Sequence, residues 1–349
     1  MAATLHDVAA LAGVSIKTVS NVVNDYKHIR PSTRERVVAA ILKLDYQPNL
    51  AARSLRSGRT GVIGLALPEL RLSYFAELAD AVIRFAEQRG VTVLVEPTGG
   101  DRDREIAMLT SPRRKMTDGL IFSPLGMAND DAALLNVGYP LVLLGERIFD
   151  GPTDHVTMHN VEAAAAATQY LIDRGRRRIA VIGAHEGEII GSAGLRLRGY
   201  QEALAASGMP FDEDLIGYTE LWHRGNGSDA MLAMLNRGVR FDAVFGLNDA
   251  LALGAMRALQ TRGIRVPDDV FVIGFDNLDE TAYSLPTLTT VDPGRDDIAA
   301  TAVRILLDRV TQTGVATPVT RVEADFRIVE RQSTTALSPA APVSPISPA

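Results

Sequence analysis

The spacing of apolar residues changes character at about residue 60. Before it, apolar positions recur every three to four residues, the period of a helix with one buried face. Leu5, Val8, Ala9 and Ala12 form the first such stripe, with Thr4 as its cap and Asp7 three places on to complete a capping box. Gly13 supplies a sharp turn. Ser15 caps a second helix whose Val19, Val22 and Val23 point inward, with Tyr26 closing that face. A third helix is expected from Ser32, paired with Glu35, burying Val37, Val38, Ile41 and Leu44. After residue 60 the pattern becomes short apolar runs alternating with amphipathic stretches. "GVIGLAL", "VTVLVEP", "DGLIFSP" and "PLVLLGE" read as strands, and "YFAELADAVIRFAEQRG" and "DREIAMLTSPRRK" as the helices among them. A second series runs "ATQYLIDRG", "RRIAVIGA", "GLRLRGYQEALAASG", "SDAMLAMLNRG", "DAVFGLN", "DALALGAMRALQTRG" and "DVFVIGFDN". Continuous apolar strands with intervening helices imply parallel sheets covered on both faces, and two series imply two lobes.

Composition narrows the function. The 349 residues suit two or three domains, and 46% hydrophobic with 22% charged content fits a globular chain with a sizeable core. With no cysteine, disulfides, thiolate metal sites and a cysteine nucleophile are excluded. Neither a secretory signal nor a membrane-length apolar run is visible, so a cytoplasmic, nucleoid-associated location is expected. Residues 1–60 hold nine Lys/Arg and four Asp/Glu, a charge of +5. The net charge of −6 therefore leaves −11 for the rest, so a basic module sits on an acidic body and only one end suits a polyanion.

Two short helices joined at a glycine make a helix-turn-helix. Ile16, Lys17, Ser20, Asn21 and Asn24 fall on the outer side of its second helix. Such a face fits a major groove: Lys17 toward guanine, Asn21 toward an adenine edge, Ile16 against a thymine methyl. Ser15, Thr18 and the positive helix end can hold phosphates, and Thr4 and His28 complete the candidate DNA contacts. A solvated face on a small bundle would show the same periodicity. The stretch "TLHDVAALAGVSIKTVSNVVN", followed by "TRERVVAAILKLDYQPNLAARSLRSGRTGVIGL", resembles the headpiece of the lactose-repressor (LacI/GalR-type) transcription factors without a gap over residues 4–65. In that family the positions matching Ile16, Lys17 and Asn21 read bases.

The resemblance divides the chain. Residues 1–47 form an all-α DNA-binding headpiece and 48–60 a hinge. Residues 61–335 form an α/β periplasmic-binding-protein-like core of two doubly wound lobes, one of about 61–160 plus 292–322, the other of about 161–290 plus 323–335. Residues 336–349, rich in Pro, Ser and Ala, are expected to be a disordered tail without leucine heptads, which favours a homodimer over a tetramer. The run Leu50–Ser57 is too short for a stable isolated helix. By resemblance it folds on palindromic operator DNA and pushes Leu55 into a minor-groove base step, with Ala52, Arg53 and Arg56 beside it.

Ligands in open α/β sheets bind beyond the carboxyl ends of strands. Asn248 and Asp276 follow strands, although either could merely cap a helix. Arg196 opens a helix, where a surface salt bridge is the plain alternative. Trp222, the only tryptophan, lies in the polar setting "ELWHRGNG". A flat ring among Arg, Asn and Asp suits a sugar. These four, with Tyr74 and Phe75, match the family's effector contacts. Where many members have Asp after the "PLVLL" strand, this chain has Gly145 and then Glu146, and where many have "DN" it has His159-Asn160. The purine branch of the family wants a different polar set near 190, where this chain has Ile190. A carbohydrate effector is therefore favoured over a nucleoside or purine. No catalytic constellation, cofactor or metal site is expected: His155 and His159 flank a strand-like "VTM", and no phosphate-binding glycine loop occurs. The rivals are a sugar-metabolising enzyme fused to a headpiece and a transport module.

Overall fold

The computed structural model describes residues 3–23, 26, 28–46, 59–312 and 318–335. It divides into two units, residues 1–61 and 62–349.

The first unit holds α1 (Leu5–Ala12), α2 (Ile16–Val23) and α3 (Pro31–Lys43). Thr4 and Asp7 form the reciprocal capping box. Gly13 ends α1 at φ 64°, ψ 41°, a left-handed conformation that costs a side-chain-bearing residue steric strain. Ser15 Oγ accepts from the Thr18 N–H at 3.1 Å, capping α2. Val8, Ala9, Ala12, Val19, Val22, Val37, Ala40 and Tyr46 share one small core. Three expectations need correction. α3 begins at Pro31 without a side-chain cap, because proline's fixed φ and missing N–H already suit the first helical position, so Ser32 lies inside the helix. Val38 is 43% exposed, with Ala40 and Tyr46 in the core beside Val37 in its place, whereas Ile41 and Leu44 are half-buried and do pack against that core. Tyr26 is 52% exposed and meets His28 edge-on instead of closing α2.

The second unit contains two six-stranded sheets. The first comprises β1 (Val62–Leu67), β2 (Thr92–Pro97), β3 (Leu120–Phe122), β4 (Leu141–Leu144), β5 (Asp154–Met158) and β11 (Arg321–Ala324), in the order β11-β5-β4-β3-β1-β2 and all parallel. The second comprises β6 (Ile179–Ala184), β7 (Ile216–Tyr218), β8 (Ala243–Gly246), β9 (Phe271–Phe275), β10 (Thr289–Asp292) and β12 (Arg327–Val329), in the order β12-β10-β9-β8-β6-β7. Its edge strand β12 runs antiparallel to β10, the one departure from parallel pairing among the described strands. The helices are α4 (Ser73–Glu87), α5 (Arg102–Leu109), α6 (Asn160–Asp173), α7 (Ser192–Ala206), α8 (Arg224–Asn236), α9 (Asp249–Thr261) and α10 (Arg295–Thr311). The chain passes between the lobes after β5, after β10 and after β11. The helix expected over 103–115 stops at Leu109, and a 3-10 turn covers Pro112–Met116. Pro112 cannot donate into the preceding turn, and Ser111 caps the new one through the Arg113 N–H. The strand interiors Ile63, Leu65, Val181, Phe245 and Ile273 are fully or almost fully buried, as expected of sheets covered on both faces.

Candidate functional site

Ile16 and Lys17 on α2 and the capping Ser15 before it are exposed, while Ser20, Asn21 and Thr18 are half-buried. Ile16, 43% exposed, is an apolar side chain left on a polar face. Ser15 and Thr18 hydroxyls lie 2.9 Å apart at the helix start. Thr4 and His28 are also exposed, Thr4 at the start of α1 and His28 before α3. Asn24, Ala52, Arg53, Leu55 and Arg56 lie outside the described residues.

In the core, Tyr74, Phe75, Arg196, Trp222, Asn248 and Asp276 all line one cavity of about 150 Å³ between the lobes. The fold explains the convergence. Tyr74 and Phe75 sit in the first turn of α4, which follows β1. Asn248 follows β8 and Asp276 follows β9, so both occupy carboxyl ends of strands. Trp222 lies in the loop after β7. Arg196 belongs to the first turns of α7, after β6.

Arg196 is 2% exposed, and not the surface residue its setting allowed. Its Nε donates to Asn160 Oδ1 at 2.8 Å and its Nη1 to the Leu247 carbonyl. The guanidinium lies 3.6 Å from the Phe275 ring centre and 3.6 Å from Asp276 Oδ1. Asp276 adopts φ 119° and is 4% exposed. Burial pushes its carboxyl up to about 7, although Arg196 and Arg295 pull the other way. Asp249, fully buried, takes the Thr290 hydroxyl at 2.6 Å and the Leu278 N–H at 2.9 Å, which fixes the turn carrying Asp276. Burial, and then Asp276, raise the Asp249 carboxyl well above its ordinary value. Asn248 does cap α9 through the Leu251 N–H at 2.8 Å, and its amide also donates to the Trp222 carbonyl at 3.2 Å. The Trp222 indole N–H donates to the Gly183 carbonyl at 2.8 Å, leaving its ring on the cavity wall. Burial, then Asp276 and Glu146, push the Tyr74 hydroxyl upward.

Arg147, His185, Glu188 and Ser192 also line the cavity and escaped the sequence reading, and Glu146, noted there as following Gly145, was not counted among the contacts. Glu146 lies two residues past β4, at the carboxyl end of that strand. Gly145 holds φ 87°, a conformation that suits glycine, so the carboxylate falls on the next residue. Polar contacts join the lobes around the cavity. Ser192 donates to Glu146 at 2.7 Å, Arg147 pairs with Glu188 at 3.2 Å, and His223 with Glu69 at 3.1 Å. His155 Nε2 donates to the Gly145 carbonyl at 2.6 Å, and His159 faces Glu323. Among the described residues no group of three metal-ligating side chains occurs, and no helix is long and apolar enough to cross a membrane.

A helix-turn-helix unit followed by two lobes enclosing a small cavity defines a ligand-responsive DNA-binding regulator. The family models agree: residues 4–49 match the bacterial regulatory proteins of the lacI family, and 168–334 a periplasmic binding protein-like domain. The Escherichia coli K12 ribose operon repressor is 34% identical over 314 residues, 89% of this chain and 94% of that protein. A LacI-family transcriptional regulator from Sanguibacter keddieii, described as putative, is 50% identical with a TM-score of 0.74, over 79% of this chain and 99% of the other. The lac repressor dimer bound to operator and the anti-inducer ONPF is 28% identical with a TM-score of 0.79, over 96% and 100%. The chain belongs to the lacI family of bacterial regulatory proteins. It is a DNA-binding transcriptional regulator controlled by a small-molecule effector, and not an enzyme.

Proposed function

We propose that the protein is a homodimeric repressor of carbohydrate-utilisation genes whose operator affinity is set by a sugar bound between the lobes. The observation that carries this reading is the convergence of Arg196, Asp276, Asn248 and the Trp222 ring on one interlobe cavity. A ring face for C–H stacking beside charged and amide groups is the recognition set of a polyol. Ile16, Lys17 and Asn21 read operator bases. Ser15, Thr18, Ser20, Asn24, Thr4 and His28 hold or flank the backbone, and the 48–60 hinge places Leu55 in the minor groove. Sugar binding changes the angle between lobes and, through the hinge, weakens DNA binding. It does so only by its differential affinity for the two arrangements.

A thermal-shift screen of monosaccharides and disaccharides tests this, with every hit rechecked for release of a palindromic operator. A stabilising sugar that also releases DNA supports the reading. Stabilisation by purines alone, with no response to any sugar, rejects it.

A further inference from the structure

Resting on the sugar reading, we propose that the cavity selects an uncharged, hydroxyl-rich ligand and rejects phosphorylated or carboxylated ones, with Glu146 as the residue that imposes the selection. Five carboxylates line the cavity against two guanidinium groups. Both cations are committed to protein partners. Arg147 pairs with Glu188 and donates to the Leu125 carbonyl at 2.9 Å. Arg196 is held by Asn160, Leu247 and Asp276.

Glu146 has no such direct partner, though it interacts electrostatically with Arg196. It is 6% exposed, and its two oxygens take the hydroxyls of Thr157 at 3.0 Å and Ser192 at 2.7 Å. Among the described residues no Lys, Arg or His nitrogen forms an ion pair with it. A carboxylate offers about four acceptor positions, so the two hydroxyls leave capacity for a ligand. His185 lies on the same wall. Its Nδ1 faces Glu188 at 2.9 Å, and its buried Nε2 has no protein partner. The indole donor of Trp222 is already spent on Gly183.

The cavity is thus rich in acceptors, poor in free donors and net negative. A sugar hydroxyl can donate to each of these acceptors. A phosphate or carboxylate brings only acceptors at neutral pH, and sets a second anion beside a buried one, where desolvation magnifies the repulsion.

Calorimetric titration of the full-length protein with matched pairs tests the proposal: D-ribose and its 5-phosphate, D-glucose and its 6-phosphate, D-glucose and D-glucuronate, adenosine and AMP. In any pair that binds, the uncharged member is expected to bind at least about thirtyfold more tightly. Glu146→Gln, which keeps both hydroxyl contacts possible, should narrow that preference at least about tenfold. Glu202→Gln, on the exposed side of α7 where Glu202 pairs with Arg198 at 2.8 Å, should leave it unchanged. An unshifted melting temperature for Glu146→Gln shows that the variant folds. If it does not fold, Ser192→Ala, which frees the same carboxylate, should widen the preference instead. A charged member binding as well as its partner overturns the proposal, and a preference unmoved by Glu146→Gln overturns the role of Glu146. A response to adenosine alone keeps the charge selection and removes the sugar reading. A silent panel removes both.

Discussion

Replacing Arg196 with methionine should destabilise the core by an amount that grows with pH. Methionine can follow the arginine stem across Phe275, so most of the lost free energy is polar. Two buried acceptors, Asn160 Oδ1 and the Leu247 carbonyl, lose their donor. At about 1–3 kcal/mol for each orphaned acceptor, the loss at pH 6 is about 2–6 kcal/mol.

The pH-dependent part comes from Asp276. Its folded carboxyl is raised from 3.8 to about 7, with burial as the largest cause and Arg196 the strongest opposing influence. A raised folded value means that the native state holds its proton longer than the unfolded chain. The stabilisation from this group is therefore full at low pH and is lost as pH rises. In the wild type the loss runs from about pH 4 and levels off near 7. Without Arg196 the folded value climbs further, so the loss continues beyond 7. The penalty of Arg196→Met should then grow by up to about 1.4 kcal/mol per pH unit above 7. Urea unfolding followed by the fluorescence of Trp222, the single tryptophan, at pH 6, 7, 8 and 9 measures it in the lobe concerned. In an Asp276→Asn background the growth should vanish. A penalty that is flat with pH, or one that grows equally in that background, would falsify the coupling of these two side chains.

Two further outcomes are expected. Thr4→Ala removes one half of the capping box that starts α1 and should cost the headpiece about 1 kcal/mol, read as a lower melting temperature of that unit by near-terminal NMR resonances; an unchanged melting temperature refutes the cap's contribution. Leu55→Ala should weaken operator binding far more than binding to unrelated duplex DNA, measured by fluorescence anisotropy at one fixed salt concentration, and equal losses would reject the wedge role.

Local signals were legible in the sequence, and non-local ones were not. The Thr4–Asp7 box and the Gly13 turn depend on residues within three or four positions, so spacing alone locates them. The same local logic misplaced the start of α3, because a Ser and a Glu three apart also look like a box when Pro31 has already begun the helix. It ran α5 through Pro112, where the apolar stripe had already ended at Leu109 and the proline ends the helix. Whether Arg196 lies on the surface or in the core could not be read from "GLRLRGY". Its burial depends on Asn160, Leu247 and Asp276, which arrive from 36, 51 and 80 residues away. Asn248 shows that the two readings of one residue need not compete: its oxygen caps α9 while its amide braces the loop of Trp222.

The cleft itself follows from topology. Both sheets are wound so that strand ends bearing polar residues face the same gap, and each lobe brings an incomplete set of partners. Glu146 and Tyr74 come from the first lobe; Ser192, Arg196, Asn248 and Asp276 come from the second. The Ser192–Glu146 hydrogen bond crosses between them, as do the pairs Arg147–Glu188 and His223–Glu69. An occupant that donates to Glu146 while stacking on Trp222 must touch both lobes at once, so its binding free energy depends on the angle between them. Binding and interlobe geometry are then linked by necessity, and the strength of regulation is limited by how differently the two arrangements hold that one molecule.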